Sequence, residues 1–459
     1  MKRLLLILAV VMFQGQKSEA QLLQYEGVSY FINGINIPWH KFNLDFGTHY
    51  IYGANYDPVY FDSVFTQCQN NGVNCVRIWL HNDGGTTPEF DASGYVTGLD
   101  PNFFPNLDDF FQRAQNHNLM VIPSIWDFSM CNNDSAWGKY GGMHANLIQD
   151  TTRTRSYINN ALIPMVTRYT NQCNLLAWEV MNEPEWVTDV SGNNANITQH
   201  VHLNEMQRFI GMLAEAIHQH SSKMVTVGSA SIKYNSDKYD VLNLALCVGN
   251  LWKDAAVQAA YNKPQAFLDF YCPHYYDWMK TSFQNFSPYD HNTAYWGFDK
   301  PVIIEETPCL SSKYTSGGML YNAVQDSYAG NMFWSFYDGP GSPNGNFNNV
   351  KSDLLTYRNT FPSAIDFQGC SVMAVPDDPI MEEHLLIYPN PSSGEFALKF
   401  SGKIISIEIV NVAGETVYKS EILINNTHLN LMNQVPGIYF IRMTTAEGVS
   451  IKKIVLTKG

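Results

Sequence analysis

The sequence predicts an α/β protein: a closed (β/α)8 barrel followed by a small all-β sandwich. Three observations carry that expectation. Short apolar runs alternate with amphipathic stretches from residue 25 to about 367, the pattern of a parallel sheet built from strand–helix units. No glycine-rich nucleotide loop follows the first run, which disfavours an open, doubly wound sheet. Beyond residue 386 helical spacing gives way to β-branched runs separated by turn signals.

Residues 1–20 read as a signal peptide. Lys2 and Arg3 precede an apolar stretch from Leu4 to Phe13, and Ser18-Glu19-Ala20 places small residues where a signal peptidase reads. That stretch is too short to span a bilayer, no later run of about 18 apolar residues exists, and no Cys follows to carry a lipid. Eight candidate strands come next: Phe31–Ile37, Asn74–Leu80, Leu119–Ile125, Leu175–Val180, Met224–Gly228, Phe267–Cys272, Pro301–Glu306 and Asn331–Phe336. Between most of them lie stretches with apolar spacing near ~3.6, such as Val59–Asn70, Leu107–Asn116, Arg155–Arg168, Val201–His220 and Leu320–Ala329. The expected boundaries are a barrel over 21–370, a linker over 371–386 and a sandwich over 387–459. Pro376, Asp377, Asp378 and Pro379 mark the linker. Alternating runs at Ile404–Val410, His428–Leu431, Gly437–Met443 and Ile451–Leu456 supply strands of the sandwich.

A net charge of −14 argues against nucleic acid or an anionic membrane as partner. Aromatic residues make up 14% of the chain and charged residues only 15%, which suits an exported protein that stacks rings on sugars. The eight cysteines suit an oxidising compartment, but their connectivity cannot be deduced. His200, His202, His218 and His220 form i,i+2 pairs that point to different helix faces. They read as a solvated helix, not a metal site.

Two stretches carry chemistry. Trp178-Glu179-Val180-Met181-Asn182-Glu183-Pro184 ends an apolar run, and Pro184 cannot continue a ladder, so Glu183 is held at a strand tip. Lys300-Pro301-Val302-Ile303-Ile304-Glu305-Glu306-Thr307-Pro308 repeats the arrangement on the seventh strand. In a closed barrel all C-terminal strand ends open on one face, so the two carboxyl groups can converge. Glycoside hydrolysis needs such a pair: one protonates the leaving oxygen, the other attacks the anomeric carbon or activates water.

These motifs resemble glycoside hydrolase family 5. The resemblance implies a retaining mechanism with Asn182 and Glu183 as the Asn-Glu dyad, Glu183 serving as acid/base. Counting from Lys300-Pro301-Val302, it implies Glu306 as nucleophile. Because adjacent strand residues face opposite sides, only one of Glu305 and Glu306 is expected to project into the site. Arg77, within Asn74-Cys75-Val76-Arg77-Ile78-Trp79, matches an Arg that bonds the nucleophile and keeps it ionised. His274 and Tyr276 match a His-x-Tyr after the sixth strand, and Trp334 matches the floor of the −1 sugar. Trp39, Trp79, Trp126 and Trp186 are candidates for further stacking, and Trp126 stands where many members carry a His after strand 3.

The loops Thr87-Pro88-Glu89-Phe90-Asp91 and Gly94-Tyr95-Val96-Thr97-Gly98, with Asn33-Gly34-Ile35-Asn36-Ile37-Pro38-Trp39, resemble invertebrate β-mannanases of that family. That likeness implies endo-hydrolysis of mannan, glucomannan or galactomannan without cofactor or metal, by a monomer. A β-1,4-glucanase of the same fold and a catalytically silent polysaccharide-binding protein are the alternatives. The tail resembles a type IX secretion sorting domain through Tyr388-Pro389-Asn390-Pro391, Asn411-Val412-Ala413-Gly414, Pro436-Gly437-Ile438-Tyr439 and Lys452-Lys453. It implies the secretion machinery as partner and a secreted or cell-surface location.

Overall fold

The computed structural model describes residues 22–132, 144–190, 197–283, 285–370, 385–400, 404–411, 416–420, 427–445 and 449–457. The expected signal peptide and most of the expected linker lie outside these. The chain divides into two compact units, Met1–Cys370 and Ser371–Gly459.

The first unit is a (β/α)8 barrel. Its strands are β1 (Ile32–Asn36), β2 (Cys75–Trp79), β3 (Met120–Asp127), β4 (Ala177–Asn182), β5 (Met224–Ser229), β6 (Cys272–Pro273), β7 (Ile303–Pro308) and β8 (Gly330–Trp334). They pair in parallel in the order β6-β5-β4-β3-β2-β1-β8-β7. Bridges between Tyr271 and Val302 and between His274 and Glu306 close the ring. The sixth strand is confined to Cys272–Pro273, so the expected residues from Phe267 on lie before it, and Pro273 has no N–H for the ladder to β7. Only the flanking bridges continue it.

The outer helices form where expected, with local reasons. Pro58–Asn70 starts on Asp57, whose side chain accepts from the Val59 and Tyr60 amides, and carries Pro at its first turn. Leu203–His220 buries Met206, Phe209, Ile210, Leu213 and Ile217 on one face. The predicted helix 155–168 is interrupted by a π turn at Ile158–Leu162, and the one predicted at 320–329 begins earlier, over Ser316–Gln325, behind a Thr315 cap. Among the described residues no helix is long and apolar enough to cross a membrane.

The barrel interior is apolar at its N-terminal end. Ile32, Cys75, Met120, Ile122, Ala177, Cys272, Ile303 and Met332 pack there with Phe270, and a hairpin (Leu23–Tyr25 with Val28–Tyr30) covers them. Burying each large side chain contributes about 1.5–3 kcal/mol. Tyr25 donates to the Cys173 and Leu175 carbonyls at 2.6 and 2.9 Å, and a Cys173–Cys370 disulfide ties the end of this unit to the entry of β4.

The second unit is all-β. Strands β9 (Leu385–Tyr388), β10 (Glu395–Phe400) and β13 (Thr427–Asn430) form one antiparallel sheet. Strands β11 (Ile404–Asn411), β12 (Thr416–Ser420), β14 (Gly437–Thr445) and β15 (Val449–Leu456) form the other. Phe396, Leu398 and Leu429 from the first share a core with Ile407, Ile409, Tyr439, Ile441 and Ile454 from the second, the packing of a β-sandwich.

Candidate active site

The mouth of the barrel is organised around Arg77. It lies on β2 two residues beyond Cys75, so it points into the barrel, and it is fully buried. Its Nε and Nη2 donate to the two oxygens of Glu179 at 2.6 and 2.7 Å. Its Nη1 donates to Glu306 Oε1 at 2.6 Å and Asn36 Oδ1 at 2.9 Å, and Nη2 also reaches Asn182 Oδ1 at 2.7 Å. Surrounding carboxylates hold the guanidinium charged against the cost of its burial.

Two bulges bring these partners to one cation. On β4 the register against β5 runs from Glu179–Thr226 to Asn182–Gly228, one residue longer on β4. On β7 the register against β8 runs from Ile304–Asn331 to Thr307–Phe333, again one residue longer on β7. A bulge breaks the alternation of faces. Glu179 and Asn182 therefore both face inward, and so do Glu305 and Glu306. This corrects the expectation that only one of the adjacent acids projects inward: Glu305 Oε2 stands 3.6 Å from Arg77 Nε, below Glu306.

Glu183 follows β4 with φ 45 and ψ 50, a left-handed conformation that costs a non-glycine residue about 1–3 kcal/mol. Its amide donates to the Gly228 carbonyl at 2.6 Å, and Pro184 opens the next turn. The side chain meets His274 Nδ1 at 2.9 Å through Oε1 and accepts from Trp186 Nε1 at 2.7 Å through Oε2. Burial raises its pKa, the Glu306 charge adds to that, and His274 works in the opposite direction without cancelling it. Tyr276 donates to Glu306 Oε2 at 2.7 Å. His274 is fully buried among carboxyl groups. Burial alone would lower its pKa, but the neighbouring carboxyl groups, Glu306 first, outweigh it and push it up to about 10.

Of the residues singled out in the sequence, Arg77, Asn182, Glu183, His274, Tyr276 and Glu306 meet here. Trp334 stands at the end of β8, its ring 5.7 Å from Trp79 and 6.3 Å from Trp39. Trp126 behaves differently: it is 1% exposed, with its ring packed on His81 and Tyr157, which makes it a core residue beside the site. Sequence reasoning missed three supports. Glu179 is one, and a charge inside the apolar run Trp178-Glu179-Val180 is its signal. Asp127 at the end of β3 accepts from Asn182 Nδ2 at 2.8 Å and fixes that amide's orientation. Gly228 leaves the necessary space, since a Cβ there would lie 2.9 Å from Glu179 Oε1 and 3.1 Å from His274 Nε2.

Glu183, His274 and Glu306 each offer a donor atom, all within 4.8 Å of one another. Arg77, Tyr276 and Trp186 already engage the carboxyl groups of this trio. The trio therefore suits acid–base and nucleophilic work, in which a sugar bond lies between two carboxyl groups.

Fold and site define a glycoside hydrolase. Residues 32–337 match the cellulase (glycosyl hydrolase family 5) family, and the chain belongs to it. Residues 386–457 match the secretion system C-terminal sorting domain, which marks a secreted or cell-surface protein handled by the type IX machinery. A mannan endo-1,4-beta-mannosidase of Mytilus edulis is 32% identical over 358 residues, covering 73% of this chain and 93% of the relative. Another from Cryptopygus antarcticus is 29% identical, covering 70% and 85%. The crystal structure of an Eisenia fetida endo-1,4-beta-mannanase matches with TM-score 0.63 at 26% identity, covering 74% of this chain and 93% of that one.

Proposed function

We propose that this protein is an endo-acting β-1,4-mannanase working by retaining double displacement, with Glu306 as nucleophile and Glu183 as acid/base. The observation that carries this reading is the approach of the two carboxyl groups within 4.8 Å, bridged by His274. Carboxyl oxygens that approach inside 4.8 Å favour the close pairing of retaining enzymes, roughly 5–5.5 Å between carboxyl groups, over the roughly 6.5–9.5 Å that leaves room for a water in inverting ones.

Each group has the surroundings its role demands. Arg77 and Tyr276 donate to both oxygens of Glu306 and so hold its carboxyl group in place to attack the anomeric carbon. Glu183 sits in a buried pocket that favours its proton, ready for the departing glycosidic oxygen. After the first displacement, ionised Glu183 takes a proton from water, which opens the glycosyl-enzyme ester. Asn182, pinned by Arg77 and Asp127, presents its amide for the sugar 2-hydroxyl, a contact that strengthens in the oxocarbenium-like transition state. Trp334 floors the −1 sugar. Trp186 and Trp278, with rings 6.2 Å apart, stand on the acid's side and so on the leaving-group side.

The mannan substrate rests on the curated relatives named above, which are mannan endo-1,4-beta-mannosidases. The family's name, cellulase, favours a second reading as a β-1,4-glucanase. Reducing-sugar release from mannan, glucomannan, galactomannan and carboxymethyl-cellulose separates the two: the mannanase reading expects turnover of the first three and little of the last. Glu306→Ala with added azide tests the nucleophile. Restored product supports the assignment; rescue of a dead Glu305→Gln variant instead overturns it.

A further inference from the structure

The turn that follows β4 brings an indole back onto Glu183. Pro184–Val187 form a single 3-10 turn, and in such a turn side chains three residues apart lie over one another. Trp186 therefore returns above Glu183, and its amide donates to the Glu183 carbonyl at 3.2 Å. Between them Glu185 points the other way. It is fully buried and accepts from the Ala230 amide at 3.0 Å, from Trp252 Nε1 at 2.6 Å and from Ser229 Oγ, which fastens the turn to the end of β5. The indole is held in turn by Trp278 and Phe283, whose ring centres lie 6.2 and 6.3 Å from its own. Trp278 is 40% exposed, so this aromatic wall opens on solvent beside the acid.

The result is one direct contact: Trp186 Nε1 donates to Glu183 Oε2 at 2.7 Å. The other oxygen, Oε1, meets His274 Nδ1 at 2.9 Å. The two nitrogens differ in kind. An imidazole titrates and can exchange a proton with the acid, whereas an indole N–H only donates. Trp186 cannot take the proton that Glu183 carries. It favours the anion left behind when that proton moves to the glycosidic oxygen, because a hydrogen bond to the charged form stabilises that form. A donor fixed where charge develops needs no rearrangement at the moment of transfer.

Building on the reading of Glu183 as acid/base, we propose that Trp186 is a positioning residue for proton transfer: its N–H edge steadies the charge that develops on Glu183, while its ring belongs to the wall beside the leaving-group sugar. One side chain thus serves both the sugar that departs and the group that protonates it. The direction of the effect follows from the groups around Glu183. Burial raises its pKa and Glu306 on β7 adds to that, while His274 after β6 and the Trp186 N–H pull it down. Tyr276 beyond β6 and Tyr234 beyond β5 stand near it, and burial keeps both phenols protonated. Arg77 stands behind Glu306, and Glu305 behind His274. Glu185 is turned to the end of β5. Without the indole N–H, Glu183 keeps its proton to higher pH and is the weaker acid.

Two measurements test this, and the first needs no substrate. The indole N–H resonance of Trp186 is assigned by its loss from Trp186→Phe, or from protein carrying benzothienylalanine there, which keeps the ring's shape without an N–H. It should shift as pH rises through the ionisation of Glu183 and stay fixed in Glu183→Gln. A resonance that does not titrate, or that titrates equally in Glu183→Gln, overturns the contact. The second compares phenyl and dinitrophenyl β-mannobiosides, both aromatic, of which only the first needs a proton to leave. With benzothienylalanine in place of Trp186, kcat/KM on the phenyl substrate should fall by about 10-fold or more, the worth of a hydrogen bond to a charged group. Its alkaline limb should move to higher pH, and the loss on the dinitrophenyl substrate should be smaller. Equal losses with an unmoved limb mean that the ring is a wall only, which overturns the proposal. Glu183→Ala in the same comparison keeps the two readings apart. If it loses both substrates equally, Glu183 is not the acid and the reading beneath the proposal fails. If it spares the dinitrophenyl substrate and the altered Trp186 protein does not, the proposal alone falls.

Discussion

A step of two residues along a strand separates the sealed floor of the barrel from its charged mouth. Cys75 lies two residues before Arg77 on β2, Ala177 before Glu179 on β4, and Ile303 before Glu305 on β7. That step is about 7 Å of strand. Below it the interior is filled by apolar side chains under a hairpin lid and a disulfide. Above it Arg77 is held by the polar side chains of Asn36, Glu179, Asn182 and Glu306. The floor gains free energy from burial and packing. The mouth holds buried charges whose desolvation cost is met only by mutual contact, and keeps them aimed for chemistry. The same strands thus divide stability and activity between their two ends.

Substitutions at each end should separate the two quantities, and the largest effect belongs to the mouth. Glu306→Ala should lower kcat on the order of 10⁴-fold or more while leaving Tm unchanged or higher, since it removes one of several crowded carboxyl groups. A large fall in Tm would mean that this carboxylate holds the fold. Arg77→Met should cost both ends: it strands Glu179 and Glu306 without their cation, a loss of about 3–5 kcal/mol in denaturant unfolding, with activity abolished. At the floor, Met332→Ala should cost about 2–5 kcal/mol with kcat nearly unchanged at a temperature where the variant is folded. A matching loss of kcat would mean that packing at the bottom sets the geometry above it.

Smaller effects sharpen the contrast. Removing the Cys173–Cys370 disulfide, which joins residues 197 apart, should cost about 2–4 kcal/mol without changing KM. At the mouth, His274 is charged up to about 10, well above an unfolded histidine. Its raised pKa contributes stability in full below the usual histidine pKa, and that contribution is lost as pH rises through about 10. His274→Asn should therefore show its full Tm deficit under mildly acidic conditions and a shrinking one toward alkaline pH.

What the sequence made legible follows the same division. The floor and the barrel walls are written in local pattern, since each parallel strand buried on both faces is a continuous apolar run. Strand-end acids are equally visible, because Pro184 and Pro308 punctuate those runs. The bulges on β4 and β7 were not legible, because a bulge exists only between two strands in register, and it decides where Glu179, Asn182, Glu305 and Glu306 all point. Trp126 was misplaced for a related reason: an aromatic at a strand end looks the same in sequence whether it opens to the cleft or packs on His81. The disulfide partners lie too far apart in sequence for spacing to name them. In the sandwich, β9, β10 and β12 were passed over because runs of four to six residues are too short for a period-two alternation to stand out.

The most direct test of the central claim is the configuration of the first-formed product. The account predicts that proton NMR of early mannooligosaccharide hydrolysis records the β-anomer first, with the α-anomer appearing only through mutarotation. An initial α-anomer would mean that water attacks directly, and that Glu306 never bonds to the sugar.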